Sequence, residues 1–257
     1  MFQKKSPVEK RSPLKIPPLR HPGQSLDEEV DRIFDEKVMS NVVMIVFLAV
    51  FILLEWIRSL LNTPPKPLGV TVICVIISLY FLFRILKMRK EVSNLRLGSD
   101  GEKIVGQALE GLREKGYKVY HDILGEGFNI DHVIVGPAGV FTIETKTIRK
   151  KGDSKISYDG IHIKIDGFTP DRDPVKQAKI QKYWMESFIS EYAKVKIKVR
   201  PVVIFPGWFV NPWLSDAEVW VLNEKALPSY LDNAGTNFTA EQINLISSNL
   251  ENYIRNY

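Results

Sequence analysis

The chain has 257 residues, of which 35 are Lys or Arg, 30 are Asp or Glu and one is Cys, so its formal net charge is +5. The single cysteine, Cys74, excludes an intrachain disulfide and fits a reducing compartment for the globular part. Residues 1–100 hold 15 basic and 10 acidic residues, whereas residues 101–257 hold 20 of each. The globular part is therefore formally neutral, and net charge alone does not predict nucleic-acid binding.

The segment 1–37 precedes the first apolar stretch. Residues 1–25 are rich in Pro, Lys and Ser and contain few large apolar residues, which predicts a disordered basic tail. Residues 26–37 combine charged and apolar side chains and predict a short amphipathic helix that leads into the membrane.

Two apolar stretches predict a pair of transmembrane helices within residues 38–87. Val38–Leu54 and Pro67–Phe83 contain no charged residue, and each is near the short end of the ~17–25 residues that span a bilayer. The alternative is a buried hydrophobic hairpin in a soluble protein, but helices that are apolar all round are typical of membranes. Basic residues are concentrated after the second stretch. The positive-inside rule therefore predicts an integral protein of the cytoplasmic membrane with both termini in the cytoplasm.

The globular part begins with a helix predicted over Ser99–Glu114. Glu102 falls on its apolar stripe, three residues before Val105. Two interpretations of this glutamate stay open. Ser99 and Glu102 have the spacing of a capping box, in which the glutamate accepts the cap N–H. The carboxylate could instead serve a catalytic site. A first strand is predicted at Tyr117–His121.

Residues 131–146 carry the most informative pattern of the chain. Two β-branched apolar runs flank Gly136-Pro137-Ala138-Gly139, which predicts a hairpin with its tip at Pro137-Ala138. This register sets Asp131 directly opposite Glu144, with Cβ atoms roughly 5 Å apart on one face. Lys146 is two residues beyond Glu144 and projects from the same face.

Facing carboxylates in a strand pair repel each other, and a bound divalent cation turns that repulsion into ligation. The alternative is a solvated pair on an exposed face. However, both faces of this hairpin carry apolar neighbours, and charged residues are almost never fully buried unless they are paired or bind metal. Asp131, Glu144 and Lys146 therefore predict a site for metal-dependent phosphodiester hydrolysis.

The remaining elements predict a mixed α/β domain. Asp173-Pro174 is typical of a helix start, and this helix should run to about Tyr192. Gln177 lies at the start of its inward stripe, either as an ordinary polar residue or as part of the site. Arg149, Lys150, Lys151 and Lys155 form either a solvated loop or phosphate contacts. The other predicted elements are a hairpin of Lys155–Tyr158 and Ile161–Ile165, strands at Ile197–Pro206 and Glu218–Leu222, and a helix at Ala240–Tyr253.

Residues 98–205 resemble the nuclease-related domain (NERD), whose core is similar to the PD-(D/E)xK restriction-endonuclease-like superfamily. The resemblance is carried by Gly101-Glu102-Lys103, Asn129–Pro137, Gly139–Lys146 and Pro174–Ala178. It implies that the catalytic core positions are Glu102, Asp131, Glu144 and Lys146, and that Gln177 is the family's helix glutamine. Ile130 stands where the superfamily name has proline.

The expected protein is a membrane-anchored, cytoplasm-facing nuclease-like hydrolase of nucleic acid, with DNA expected ahead of RNA. Its restriction-endonuclease-like mixed sheet, flanked by helices, should follow a two-helix transmembrane hairpin. Asp131 and Glu144 would hold Mg²⁺ or Mn²⁺, with Glu102 acting through a metal-bound water or a second ion. The alternative is a non-catalytic nucleic-acid-binding or scaffold module tethered to the membrane. The expected divisions are 1–37 (tail and amphipathic segment), 38–87 (membrane helices), 98–222 (nuclease-like domain) and 223–257 (its helical closure).

Overall fold

The computed structural model describes residues 18–61, 67–125, 127–150, 155–170, 172–211, 214 and 216–256. Most of the predicted basic tail, residues 1–17, and the linker between the two apolar stretches, residues 62–66, lie outside the described residues. The same is true of Lys151 in the basic loop.

Two long helical segments form the N-terminal part. Helix α1 (Gln24–Arg32) continues through a π-helical segment, Ile33–Val38, into α2 (Met39–Leu60), which packs against α3 (Pro67–Glu110). By length and composition both segments could cross a membrane, a test that the core helix of a soluble protein also passes. Core helices are mostly buried, whereas only 11% and 6% of these two apolar windows are buried.

Helix α3 corrects the predicted start of the helix that carries Glu102. It runs without a break from Pro67 to Glu110, so the second apolar stretch and the helix that carries Glu102 are one helix. The intervening residues, 84–98, are mainly Arg, Leu, Lys, Met and Glu, which favour helix continuation. Ser99 therefore lies inside the helix, and the capping-box interpretation of Glu102 is wrong. The Ser99 hydroxyl instead donates to Asp27 Oδ1 at 2.6 Å.

A five-stranded mixed sheet forms the centre of the domain. The strands in chain order are β1 (Lys118–Leu124), β2 (Asn129–Gly136), β3 (Gly139–Thr145), β4 (Ile156–Tyr158), β5 (Ile163–Ile165), β6 (Val199–Ile204), β7 (Val210–Asn211) and β8 (Trp220–Leu222). The main sheet has the order β1-β2-β3-β6-β8, with β1 to β3 antiparallel and β3, β6 and β8 parallel. Strands β5, β4 and β7 form a second, small sheet.

The register predicted for the β2–β3 hairpin is confirmed. Gly136 pairs with Gly139 around the turn, and His132 pairs with Ile143 near the other end. The next residue outward on each strand is Asp131 or Glu144, so the two acids lie at the same end of the strand pair. Turn chemistry fixes the register of a tight hairpin, and a slip of one residue would move every side chain of a strand to the opposite face.

Helices cover both faces of the main sheet, which confirms the predicted mixed α/β fold. The remaining helices are α4 (Pro174–Tyr192), α5 (Leu227–Asn233) and α6 (Ala240–Asn256). The Asp173 carboxylate caps α4 by accepting the Val175 N–H at 2.9 Å, as the Asp-Pro start predicted. One core cluster joins α3 and α5 to the sheet through Val105, Leu109, Ile134, Phe141 and Leu227. The other joins α4 and α6 through Val133, Val135, Met185, Ile189 and Ile246.

Candidate active site

Three acidic side chains meet at one end of the central hairpin. Asp131 lies in β2, Glu144 lies in β3 and Glu102 reaches them from α3. Their exposed fractions are 6%, 2% and 5% respectively, so all three are buried. Each is close enough for its negative charge to act on at least one of the others. The structure therefore brings together the three acids that the sequence singled out.

Burial and mutual repulsion favour the protonated form of Asp131. Desolvation raises the pKa of its carboxyl well above the ordinary value, and the negative charges of Glu144 and Glu102 raise it further. The Thr145 backbone N–H donates to Asp131 Oδ2 at 2.7 Å and opposes this rise, because it stabilises the charged form. The strand pair thus holds the carboxylate in place through backbone geometry.

The pKa of the Glu102 carboxyl is also raised. Burial, followed by the charges of Asp122 and Glu144, raises the pKa of the Glu102 carboxyl to about 8. Its Oε2 atom is buried and has no hydrogen-bond partner within the described part of the chain. An unpaired buried carboxylate oxygen lowers the stability of the fold. Because Glu102 Oε2 has no partner, it can accept a hydrogen bond from an incoming group.

Lys146 and Gln177 lie where the sequence predicted, beside Glu144. Lys146 Nζ is 2.5 Å from Glu144 Oε1 and donates to Gln177 Oε1 at 3.0 Å. The ammonium group therefore links the acid on β3 to the first turn of α4. It is about a quarter exposed, with 26% of its side chain accessible, so it can also contact a bound substrate.

Gln181 is a site residue that sequence reasoning missed. Its Nε2 donates to Glu144 Oε2 and, at 3.1 Å, to the Asn129 carbonyl. It is buried, and its Oε1 has no hydrogen-bond partner among the described residues. The signal was its position one helical turn after Gln177.

Asp122 is a second missed residue. It is fully buried in β1 with a positive φ of 50°, and it accepts hydrogen bonds from Arg20, Ser25 and Asn129. No local pattern could have found this group, because two of its partners lie about 100 residues earlier in the chain.

The histidines next to these acids face elsewhere. His132 Nδ1 lies 2.9 Å from His121 Nδ1, and His121 Nε2 lies 3.1 Å from Glu110 Oε1. Burial lowers the pKa of both imidazoles, so they favour the neutral form. The two neutral imidazoles bond to each other and form a structural part of the core. They are therefore not counted among the residues of the acid cluster.

Asp131, Glu144 and Glu102 present a donor set of carboxylate oxygens. Positive charge stabilises buried carboxylates whose negative charges act on one another, and Mg²⁺ and Mn²⁺ prefer such oxygen ligands. Within the described ranges, no group of three or more His, Cys, Asp or Glu has the spacing to hold a metal directly. The chemistry of these carboxylates therefore suits a divalent cation, and their spacing does not bring all three to it as direct ligands.

A cleft of about 1100 Å³ lies at the other end of the hairpin, where its lining includes the Ala138–Phe141 turn. Two of its basic residues already have partners: Lys182 Nζ is 3.1 Å from Glu218, and Arg200 donates to the Ala217 carbonyl. The buried Glu102 Oε2 and Gln181 Oε1 atoms, which have no hydrogen-bond partner among the described residues, lie at the acid cluster and not in this cleft. The acid cluster is therefore the candidate active site.

Comparisons with known proteins give one family match. No curated protein and no solved structure gives a significant match to the chain. Residues 97–206 match the family model NERD, described as the nuclease-related domain. This range begins in the last third of α3 and ends just after β6, and it contains the acid cluster, Lys146 and both glutamines. The part of the chain that carries the candidate active site therefore matches the nuclease-related domain (NERD) family model.

Proposed function

We propose that this protein is a membrane-anchored nuclease that hydrolyses phosphodiester bonds of nucleic acid with Mg²⁺ or Mn²⁺. The observation that carries the proposal is the cluster of three buried acids and Lys146 within a nuclease-related domain. Buried acids with raised pKa values are costly to a fold, and they are typical of sites that bind a cation or transfer protons.

Asp131 and Glu144 are the proposed metal ligands, and Glu102 acts through a water molecule. Bound there, the cation would supply positive charge that lowers the pKa of a coordinated water and offsets charge on the phosphate. The hydrogen bond from Thr145 N–H to Asp131 keeps one ligand oriented from the backbone. Gln181 does the same for Glu144 from α4.

Lys146 is the proposed catalytic cation of the chain itself. Its ammonium group, bonded to Glu144 and Gln177, can orient the attacking water and stabilise the negative charge that builds on the phosphorane. Gln177 holds the lysine and, on substrate binding, can position water or a phosphate oxygen. These interactions are stronger in the transition state than in the ground state, which is the requirement for catalysis.

One observation favours a second candidate, a non-catalytic nucleic-acid-binding or scaffold module. Both oxygens of Glu144 already have partners, Lys146 and Gln181, so the lysine can serve as the internal counter-ion of the cluster. Such a module would keep the fold and need no metal.

A substrate panel tests the proposed function. Purified full-length protein is incubated with plasmid, linear duplex DNA, single-stranded DNA and RNA, each with Mg²⁺, Mn²⁺ or chelator. We expect metal-dependent cleavage, with DNA cut faster than RNA. Asp131→Asn, purified identically, should lose this activity because a neutral amide is a weak ligand. Equal cleavage by both proteins would identify a contaminant and contradict the proposal.

The proposed location is the cytoplasmic membrane, with both termini and the nuclease-related domain in the cytoplasm. The support is the excess of Lys and Arg immediately after residue 83, compared with two basic residues between residues 55 and 66. Protease added to sealed, right-side-out cells should spare residues 98–257, and the same protease should digest them after lysis. Digestion before lysis would place the domain outside.

A further inference from the structure

The chain segment before the first apolar helix lies against the acid cluster. Residues 19–28, here called the N-terminal strap, are anchored by a buried ion pair in which Arg20 Nε donates to Asp122 Oδ2 at 2.7 Å. Asp122 also accepts the Ser25 backbone N–H at 2.9 Å and the Ser25 hydroxyl at 2.7 Å. A fully buried carboxylate needs such partners. The strap therefore supplies the ion pair and hydrogen bonds that Asp122 of the domain requires.

The strap is packed closely against α3. A Cβ atom added at Gly106 would lie only 2.4 Å from Pro22 Cγ, so only glycine lets the two segments approach this closely. Gly23 has a φ of +73° and packs on Ser99. Asp27 adds polar contacts, since it accepts from Ser99 at 2.6 Å and from Lys103 Nζ at 2.9 Å.

The strap also lies over the face of α3 that carries Glu102. Gly23 packs on Ser99 and Pro22 packs on Gly106, and Glu102 lies between these two residues on the same helix face. The Gly23 backbone N–H lowers the pKa of the Glu102 carboxyl against the larger effect of burial. Ser25 lies in the first turn of α1, where N–H groups have no partner within the helix and carry partial positive charge, and its N–H donates to Asp122.

We propose that the N-terminal strap is a working part of the nuclease site, in which Arg20, through Asp122, holds the strap against the face of α3 that carries Glu102 and so fixes the orientation of that carboxylate. Arg20 is thus a positioning residue and Glu102 the group that meets the metal-bound water. The inference rests on the proposed function. It adds to the site a segment that lies outside the residues matched by the family, 97–206.

The test is a double-mutant cycle in the full-length protein. Arg20→Met keeps the length of the side chain and removes its charge and donors, so Glu102 loses its fixed orientation. We expect kcat to fall on the order of 10- to 100-fold, as small misplacements of catalytic groups do, with KM changed by less than about twofold. Arg32→Met is the matched control, because Arg32 lies exposed at the end of α1, beyond the strap, and pairs with Glu29. It should behave as wild type.

Glu102→Gln provides the second arm of the cycle. If Arg20 acts through Glu102, adding Arg20→Met to Glu102→Gln should lower kcat no further. Losses that multiply would assign Arg20 a purely structural role and overturn the inference. A rise in activity of Arg20→Met would overturn it too, because the strap would then be an inhibitory cover.

Two further measurements keep the outcome decisive. Arg20→Met leaves Asp122 buried without its counter-ion, so Arg20→Met/Asp122→Asn, which removes that charge, is run through the same cycle if the single variant does not fold. The dissociation constant for Mn²⁺ alone is measured in every variant. If the wild-type protein cleaves and Arg20→Met cleaves at the same rate, only the proposed role of the strap is overturned. Wild-type protein that neither cleaves nor binds Mn²⁺ overturns the proposed function and this inference together.

Discussion

Lys146→Ala is expected to lower the single-turnover cleavage rate on the order of 10²–10³-fold, the usual cost of removing one preorganised electrostatic group. Nucleic-acid affinity should change by less than about threefold, since the loss falls on the transition state. The reason is the position of Nζ, 2.5 Å from Glu144 and 3.0 Å from Gln177. Lys146→Ala and Lys115→Ala are each compared with wild type by single-turnover cleavage and filter binding at fixed salt. Lys115→Ala is the matched control, because Lys115 forms an exposed ion pair with Asp232.

The same pair of measurements separates the enzyme from the scaffold. A module that only binds would show a modest loss of affinity in Lys146→Ala, like the loss of any phosphate contact, and no cleavage with either metal. Parallel losses of cleavage and binding would also count against a transition-state role. Lys115→Ala should match wild type in both assays.

Saturating Mn²⁺ is expected to raise the melting temperature of the protein, and Glu144→Gln should lose most of that gain. A ligand that binds only the folded state stabilises it by mass action, by about 2.7 kcal/mol at 100 times its dissociation constant. In the proposed site, Glu144 contributes a charged oxygen ligand that glutamine replaces poorly. Glu218→Gln is the matched control, because Glu218 pairs with Lys179 and Lys182 on the surface. Equal gains in wild type and Glu144→Gln would exclude Glu144 as a ligand.

The rise in melting temperature caused by Mn²⁺ should depend on pH because of Glu102. Its pKa rises from an ordinary value of 4.5 to about 8 in the folded protein, so between these values the folded state binds more protons than the unfolded state. The stability of the metal-free protein should therefore fall as pH rises from about 4.5 to about 8. Because Mn²⁺ offsets the charge that appears, its effect on the melting temperature should be larger at pH 8 than at pH 6. Differential scanning fluorimetry at both values measures this.

The sequence by itself determined the parts of this protein that depend on short-range chemistry. The turn at Gly136–Gly139 and the alternation of its flanking strands gave the register that brings Asp131 and Glu144 to one end of the hairpin. The Asp173-Pro174 pair marked the start of α4. Uncharged stretches marked the two apolar helices. In each case the deciding residues are neighbours, so local backbone preferences and a period of two or 3.6 are sufficient.

Only the tertiary structure decided what surrounds the acids. The sequence left Glu102 as either a helix cap or a catalytic residue, and the continuity of α3 from Pro67 to Glu110 excluded the cap. Gln181 became part of the site because α4 packs across β3, and Asp122 because the strap returns to β1 from about 100 residues away. Contacts of this kind depend on how whole helices and strands pack. A polar side chain that is buried against a distant partner stands in the same local sequence pattern as one that is solvated, so the sequence does not distinguish them.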